Sequence, residues 1–221
     1  MSHDHAGASK VVQLTKFRKW KMTDLFQEKA KDWDANDRRK RLSSGISASI
    51  IKNVVLNDQM HVLDFGAGTG LISSQVALYV KKITAVDVSE SMLAKLSAKP
   101  ELKDKVQVLC QDITEKPIGI EYDLIISAMA MHHVKDTDNM VKQLAAHLKS
   151  GGQIALADLD SEDGTFHSKG TEGVYHNGFD RGEFKIVLKK YGFIGIRFDD
   201  AYTVQGENGA YPIFLALATK E

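Results

Sequence analysis

From residue 60 onward the chain alternates short β-rich runs with helical patterns, and this alternation restricts the fold more than any other feature. The strand candidates are HVLDF (61–65), ITAVDV (83–88), VQVLCQD (106–112), YDLIISAM (122–129), QIALADL (153–159), IGIRFDD (194–200) and IFLALAT (213–219). Several are almost wholly apolar, which suits strands buried on both faces of a parallel sheet. Between them lie GLISSQVALYV, ESMLAKLSAK, DNMVKQLAAHL and DRGEFKIVLKKYG, each with apolar residues at helical spacing. Such alternation predicts a doubly wound α/β fold on a seven-stranded, mostly parallel sheet. The last two strand runs are separated by TVQGENGAYP, which has no helical pattern, so they are expected to form an antiparallel hairpin.

Ahead of this core, Thr23–Val55 reads as one or two helices with Thr23 as N-cap. Leu25, Phe26, Ala30 and Trp33 suggest one apolar stripe, and Ile46, Ile50, Ile51, Val54 and Val55 another. Lys10, Lys16, Arg18, Lys19 and Lys21 make the preceding segment basic. The expected organisation is a flexible basic tail over 1–22, carrying His3 and His5, and one domain over 23–221. Within that domain, 23–57 is a helical extension and 58–221 the α/β core.

Twenty-nine basic residues balance 29 acidic ones, so no long-range attraction to nucleic acid or anionic membrane is built into the whole chain. The single cysteine, Cys110, excludes an internal disulfide and a multi-thiolate zinc site; its place in an apolar run makes it an expected core residue. No run approaches the roughly 20 apolar residues of a membrane span. The first residues lack the apolar stretch of a secretory signal. A cytoplasmic location is the expectation.

The run VLDFGAGTG (62–70) places three glycines between the first strand and the following helix. A phosphate-binding P-loop needs Lys-Ser/Thr after its glycines, but Leu71 and Ile72 stand there. A dinucleotide fingerprint needs G-x-G-x-x-G, and Leu71 occupies its third glycine position. What remains is G-x-G-x-G with an acid, Asp64, two residues ahead of it.

VLDFGAGTG resembles the first motif of class I S-adenosylmethionine (SAM)-dependent methyltransferases, in which it curls around the amino-acid end of the cofactor. The likeness continues in AVDVSESML, where Asp87 ends the second strand, and in QDI (111–113) after the third. YDLIISAMAMHHV (122–134) resembles the fourth strand and LKSGGQIALADL (148–159) the fifth. The resemblance covers about residues 55 to 220 and implies the Rossmann-like methyltransferase fold. It implies SAM as cofactor, with S-adenosylhomocysteine as product, against Asp64, Gly66, Ala67, Gly68 and Gly70. It also implies contacts from Asp87 and Val88 to the ribose region, from Met92, Asp112 and Ile113 to the adenine, and from Ala128 at the end of the fourth strand. Ser89 is expected to be a helix cap.

Methyl transfer from a sulfonium needs alignment more than a catalytic triad, and orientation alone contributes roughly 7–11 kcal/mol. Relatives acting on exocyclic base amines or glutamine amides carry an Asn/Asp-Pro-Pro-aromatic run after the fourth strand; this chain has SAMAMHHV and no nearby proline. His132 and His133 resemble the paired histidines of small-molecule and quinone methyltransferases, where one can serve as base. The polar segment DLDSEDGTFHSKGTEGVYHNGFDRGEF (158–184) is read as a loop over the acceptor, with Asp158, Tyr175, His176 and Arg181 lining the pocket, or else as a solvated lid. Asp158, Asp160, Asp163, His167 and His176 match no metal-ligand spacing, and no metal is expected. In the extension, Phe26, Trp33 and Arg38 are the residues placed to cover the site. The resulting expectation is a methyltransferase with a small-molecule acceptor. A protein acceptor, a non-catalytic SAM-binding partner subunit and, least favoured, a nicotinamide-dependent oxidoreductase are the alternatives.

Overall fold

The structure is a computed structural model that describes residues 24–221; the expected basic tail and the Thr23 cap lie outside the described residues. The chain runs α1 (Gln27–Ala30), a 3-10 turn, α2 (Asp37–Asn53), β1 (His61–Phe65), α3 (Leu71–Val76), β2 (Lys82–Asp87), α4 (Glu90–Ser97) and β3 (Val106–Cys110). It continues with β4 (Tyr122–Ala128), α5 (Thr137–Ala146), β5 (Leu148–Leu159), α6 (Arg181–Lys190), β6 (Phe193–Gly206) and β7 (Gly209–Lys220). The strands form one seven-stranded sheet in the order β3-β2-β1-β4-β5-β7-β6. The first five pair in parallel, and β7 runs antiparallel between β5 and β6.

Alternation along each strand divides the core in two. Val62, Leu124, Ile126, Ala155, Ile213 and Leu215 face α2, α3 and α4. Leu63, Ile125, Ile154, Leu156, Phe214 and Ala216 face α5 and α6. Both sets are inaccessible to solvent, which explains the nearly unbroken apolar runs. Truncating a residue such as Ile125 to Ala costs about 2–5 kcal/mol. Because β1 lies between β2 and β4, the chain moves outward to β3 and returns to β4. The switch point, where such sheets bind ligands, is therefore at the carboxyl ends of β1 and β4.

The longer helices are capped by side-chain oxygens. Ser89 accepts the Met92 amide ahead of α4, and Asp180 accepts the Glu183 amide ahead of α6. Where structure and expectation differ, the cause is local. β5 begins five residues earlier than its apolar run, at Leu148, passing through a register shift opposite Tyr122/Leu124. A Cβ at Gly152 would stand 2.9 Å from the Lys149 carbonyl oxygen, so only glycine fits this stretch. β6 and β7 extend through polar residues to a two-residue turn at Glu207–Asn208, with Gly206 paired to Gly209. Cys110 is exposed rather than core: β3 is an edge strand, and no helix intervenes before β4 to cover it. In the N-terminal segment Leu25 and Val55 are exposed, while Ala30, Ile46 and Ile50 are buried. Among the described residues no helix is long and apolar enough to cross a membrane.

Candidate functional site

After β1 the chain turns through Gly66, Gly68 and Gly70, with φ of 70°, 54° and 79°. The three are not equivalent. A Cβ on Gly66 would lie 2.2 Å from the Cβ of Ala130, and one on Gly70 would lie 2.7 Å from Leu96, so close packing excludes side chains there. A Cβ on Gly68 would meet nothing within 4 Å. Gly68 is thus where bare main chain borders open space. The amides of Gly66 and Ala67 both donate to the Val86 carbonyl, at 2.9 and 3.0 Å, and hold the corner against β2.

Two carboxylates frame this corner. Asp87, at the end of β2, accepts the Gly68 and Ser89 amides at 2.8 Å each, and burial raises its pKa. Asp64 is 1 % exposed. Burial pushes it up to about 7, opposed by the Ser73 hydroxyl that donates to it at 2.6 Å and reinforced by the nearby Asp87 charge. After β3, Asp112 accepts the Thr114 amide and hydroxyl at 2.8 and 2.6 Å, and the adjacent Ile113 is fully buried. Val88 is exposed, Met92 is buried, and Ala128 ends β4. The polar groups facing the corner are three carboxylates with no basic side chain among them, and the amides of Gly66, Ala67, Gly68 and Gly70 are already engaged within the protein. That set is poor for phosphate and suited to a ligand that presents an ammonium and hydroxyls.

The second half of the site follows β4. Met129 is the sole non-glycine with positive φ among the described residues, at 57°, and it leads into a 3-10 turn over Met131–His133. His132 is 1 % exposed. Its Nδ1 lies 2.7 Å from Asp158 Oδ1, and its amide donates to Asp158 Oδ2 at 3.2 Å. Asp158, fully buried on β5, also accepts the Leu159 amide at 2.8 Å. His133 places Nδ1 2.6 Å from the Gly173 carbonyl oxygen. His167, from the loop after β5, brings its ring centroid within 5.0 Å of His132, which is itself 4.1 Å from His133. Burial first, then the neighbouring His132, lowers both His133 and His167 to about 4. The Nε2 atoms of His132 and His167 are buried with no hydrogen-bond partner. Phe26 packs edge-on against His133 and Phe166 against His167, with centroids 5.3 and 4.8 Å apart.

Other residues expected at the acceptor are placed differently. His176 has its Nε2 2.9 Å from the Val134 carbonyl oxygen and packs its ring on Phe179; it fastens the loop instead of facing the enclosure. Arg181 donates through two nitrogens to Asp160, at 2.7 Å each, and to Asp200 at 2.6 Å, leaving its fork engaged in ion pairs. It lines a separate groove of about 780 Å³ between α2 and β6. Tyr175 donates its amide to the His132 carbonyl at 3.0 Å, but its side chain is exposed. The guanidinium of Arg38 lies over Phe166 and that of Arg39 over Trp33. Among the described residues no group of three His, Cys, Asp or Glu side chains could hold a metal ion.

Sequence reasoning gave no role to Asp24, Asp34 or Thr69. Asp24 accepts from the Ser89 hydroxyl at 3.0 Å and from the Ser91 amide and hydroxyl at 3.1 and 2.6 Å. Asp34 accepts the Thr69 hydroxyl at 2.5 Å and pairs with Lys99 at 2.9 Å. Both acids fasten the N-terminal segment to the corner, and no spacing pattern signals them.

The sequence matches the family described as "Methyltransferase domain" over residues 62–152. An uncharacterised methyltransferase of Schizosaccharomyces pombe is 32% identical over 136 residues, which is 57% of this chain and 48% of the relative. A malonyl-[acyl-carrier protein] O-methyltransferase of Priestia megaterium is 30% identical over 163 residues, 69% of this chain and 58% of the relative. An uncharacterised methyltransferase of Bacillus velezensis is 30% identical over 150 residues, 66% of this chain and 70% of the relative. The chain spans 48% to 58% of the length of the first curated relatives it matches. Among solved structures, the magnesium protoporphyrin IX methyltransferase of Synechocystis with bound SAH shares the fold, with a TM-score of 0.66 at 16% identity over 90% of this chain and 97% of that one.

Proposed function

The chain belongs to the class I SAM-dependent methyltransferase family, and we propose that it transfers the methyl group of SAM to a small-molecule acceptor enclosed between the end of β4 and the N-terminal segment. The observation that carries this reading is the open space over Gly68 beside the Asp87 carboxylate, at the sheet's switch point. The methionine part would lie in the open space against the Gly68 main chain, with Asp64 near its ammonium. Asp87 would hold the ribose hydroxyls, and Asp112 with Ile113 the adenine. When bound, SAM supplies a methyl group on a positively charged sulfur, an already activated centre for displacement.

The chain's own residues then have three tasks: align the acceptor, exclude water and accept any proton released. The Ala130 contact with Gly66 sets the histidine turn directly against the glycine corner. His132, His133 and His167 are buried or partly buried beneath Phe26 and Phe166, which favours a small acceptor over a protein side chain presented from outside. His132 and His133 are the acceptor-facing residues of this reading; Tyr175, on the surface, is at most at its rim.

The test is calorimetry with S-adenosylhomocysteine on folded protein, followed by screening small hydroxyl and amine compounds for methyl incorporation. Heat on binding and mass gain in a small molecule are expected. No heat with the product or with SAM overturns the reading, and methylation confined to proteins transfers it to the alternative acceptor class.

A further inference from the structure

Among the described residues four buried side-chain atoms lack a hydrogen-bond partner, Ser47 Oγ, Tyr122 OH, His132 Nε2 and His167 Nε2, and the two imidazole nitrogens lie side by side in the candidate site. Leaving a buried polar atom unsatisfied costs about 1–3 kcal/mol, so a histidine serving only as packing should have both nitrogens engaged or be replaced by an apolar residue. Here the opposite nitrogen of His132 is held with care. Asp158 accepts the His132 amide and the Leu159 amide, which fixes its carboxylate as an acceptor, and its Oδ1 stands 2.7 Å from Nδ1. Nδ1 therefore carries the ring proton, and Nε2 presents a lone pair. The second orphan nitrogen belongs to a ring whose centroid is only 5.0 Å away, on a different segment of chain.

We propose that Asp158 is a positioning residue that locks His132 so that its Nε2 removes a proton from the methyl acceptor, and that His167 binds the same acceptor through its own Nε2. This rests on the methyl-transfer reading and deepens it: the acceptor carries an ionisable hydroxyl on a planar ring. The hydroxyl meets the need of both nitrogens, and the flat walls supplied by Phe26 and Phe166 around the imidazoles suit an aromatic body.

The step balances. The acceptor O–H bond breaks and its proton goes to His132 Nε2. The oxygen uses the freed electron pair to form the new O–CH3 bond as the S–CH3 bond breaks, and that bond's pair stays on sulfur in neutral S-adenosylhomocysteine. The positive charge that leaves the sulfur reappears on the His132 ring, beside the Asp158 carboxylate. Other titratable groups around His132 are His133 on the same turn and His167, which in turn senses Glu162 and Lys29.

A nitrophenol reports the proton transfer without turnover, because its phenolate absorbs visible light and its phenol does not. 4-Nitrophenol is titrated into protein saturated with S-adenosylhomocysteine, at a pH below the phenol's own pKa. Wild type should bind it as phenolate, His132→Gln should abolish the phenolate band, and Asp158→Asn should shift the pH midpoint of its formation. His167→Leu should weaken phenol binding about tenfold, the worth of one hydrogen bond to a charged oxygen, while leaving that midpoint in place. Wild type that binds no phenol, or binds it only in protonated form, overturns the proposal. So does a His132→Gln protein that still yields phenolate, a result available even if Asp158→Asn fails to fold. A folded Asp158→Asn protein with an unchanged midpoint removes Asp158 from the role. Calorimetry with S-adenosylhomocysteine separates the two readings: binding without phenolate sinks only this one, and no binding sinks the methyl-transfer reading itself.

Discussion

The carboxylate of Asp34 accepts the Thr69 hydroxyl at 2.5 Å, so the N-terminal segment is tied to the middle of the glycine corner. A second tie, from Asp24 to Ser89 and Ser91, lands two and four residues beyond Asp87. A ligand lying along Gly68 and Asp87 would thus be covered by a segment held at both ends of its own binding motif. Each such hydrogen bond contributes about 1 kcal/mol, or roughly fivefold in a rate or equilibrium constant. Asp34→Ala is expected to speed release of S-adenosylhomocysteine by about that factor, read by stopped-flow fluorescence of Trp33 in the same segment. Release at the wild-type rate would show that the segment packs against the corner without covering it.

The two glycines at either side of Ala67 should fail in opposite ways. Gly66→Ala places a methyl group 2.2 Å from Ala130, so it is expected to destabilise the fold, lowering the midpoint of thermal unfolding. Gly68→Ala meets no atom within 4 Å and carries only the left-handed strain of its φ of 54°, about 1–2 kcal/mol. Its larger effect should be on ligand affinity, because the added methyl stands in the space proposed for the cofactor. Equal binding by folded Gly68→Ala and wild type would move the cofactor away from this corner.

Asp87 has a structural duty that complicates its test. Its two oxygens hold the Gly68 and Ser89 amides, so Asp87→Ala removes a loop anchor together with the proposed ribose contact. Asp87→Asn keeps one acceptor oxygen and is the cleaner variant. Loss of a charge-assisted hydrogen bond is worth about 1.5–3 kcal/mol, so affinity for S-adenosylhomocysteine should fall at least tenfold by calorimetry. A folded Asp87→Asn protein with wild-type affinity takes Asp87 out of the cofactor site.

Those three residues were legible because glycine and acid types at a strand end carry a backbone reason for their identity. That the sheet is covered on both faces was legible too, since Val62 and Leu63, or Ile125 and Ile126, need opposite covered faces. Less accessible was anything decided by pairing across long separations. His132 and Asp158 are 26 residues apart, and only the register of β4 on β5 brings them together. Arg181 looked like a ligand for an acceptor because its partners, Asp160 and Asp200, lie on either side of it in sequence with no periodic relation. Cys110 looked buried because an apolar run does not say whether its strand sits at the sheet's edge.

Acidification gives a last test, directed at the histidine enclosure. His133 drops from an ordinary 6.5 to about 4 on folding, with burial as the main cause. Between those values the unfolded chain binds more protons than the native one, so the stability tied to this group is full above 6.5 and declines as pH falls towards 4. His167 acts in the same direction. Asp64 acts in the other: held up at about 7 in the native state, it keeps a proton that the unfolded chain gives up, and its contribution improves as pH falls from that value. The wild-type profile is therefore a sum of opposed slopes, and a difference measurement is needed. His133→Gln should be less stable than wild type at neutral pH through lost packing on Phe26, and the gap should close on acidification by an amount on the order of 2 kcal/mol. Denaturant unfolding of both proteins at a series of pH values measures it directly. A gap that stays constant over that range means the His133 ring gains or keeps its proton equally in both states, and the enclosure is open to water.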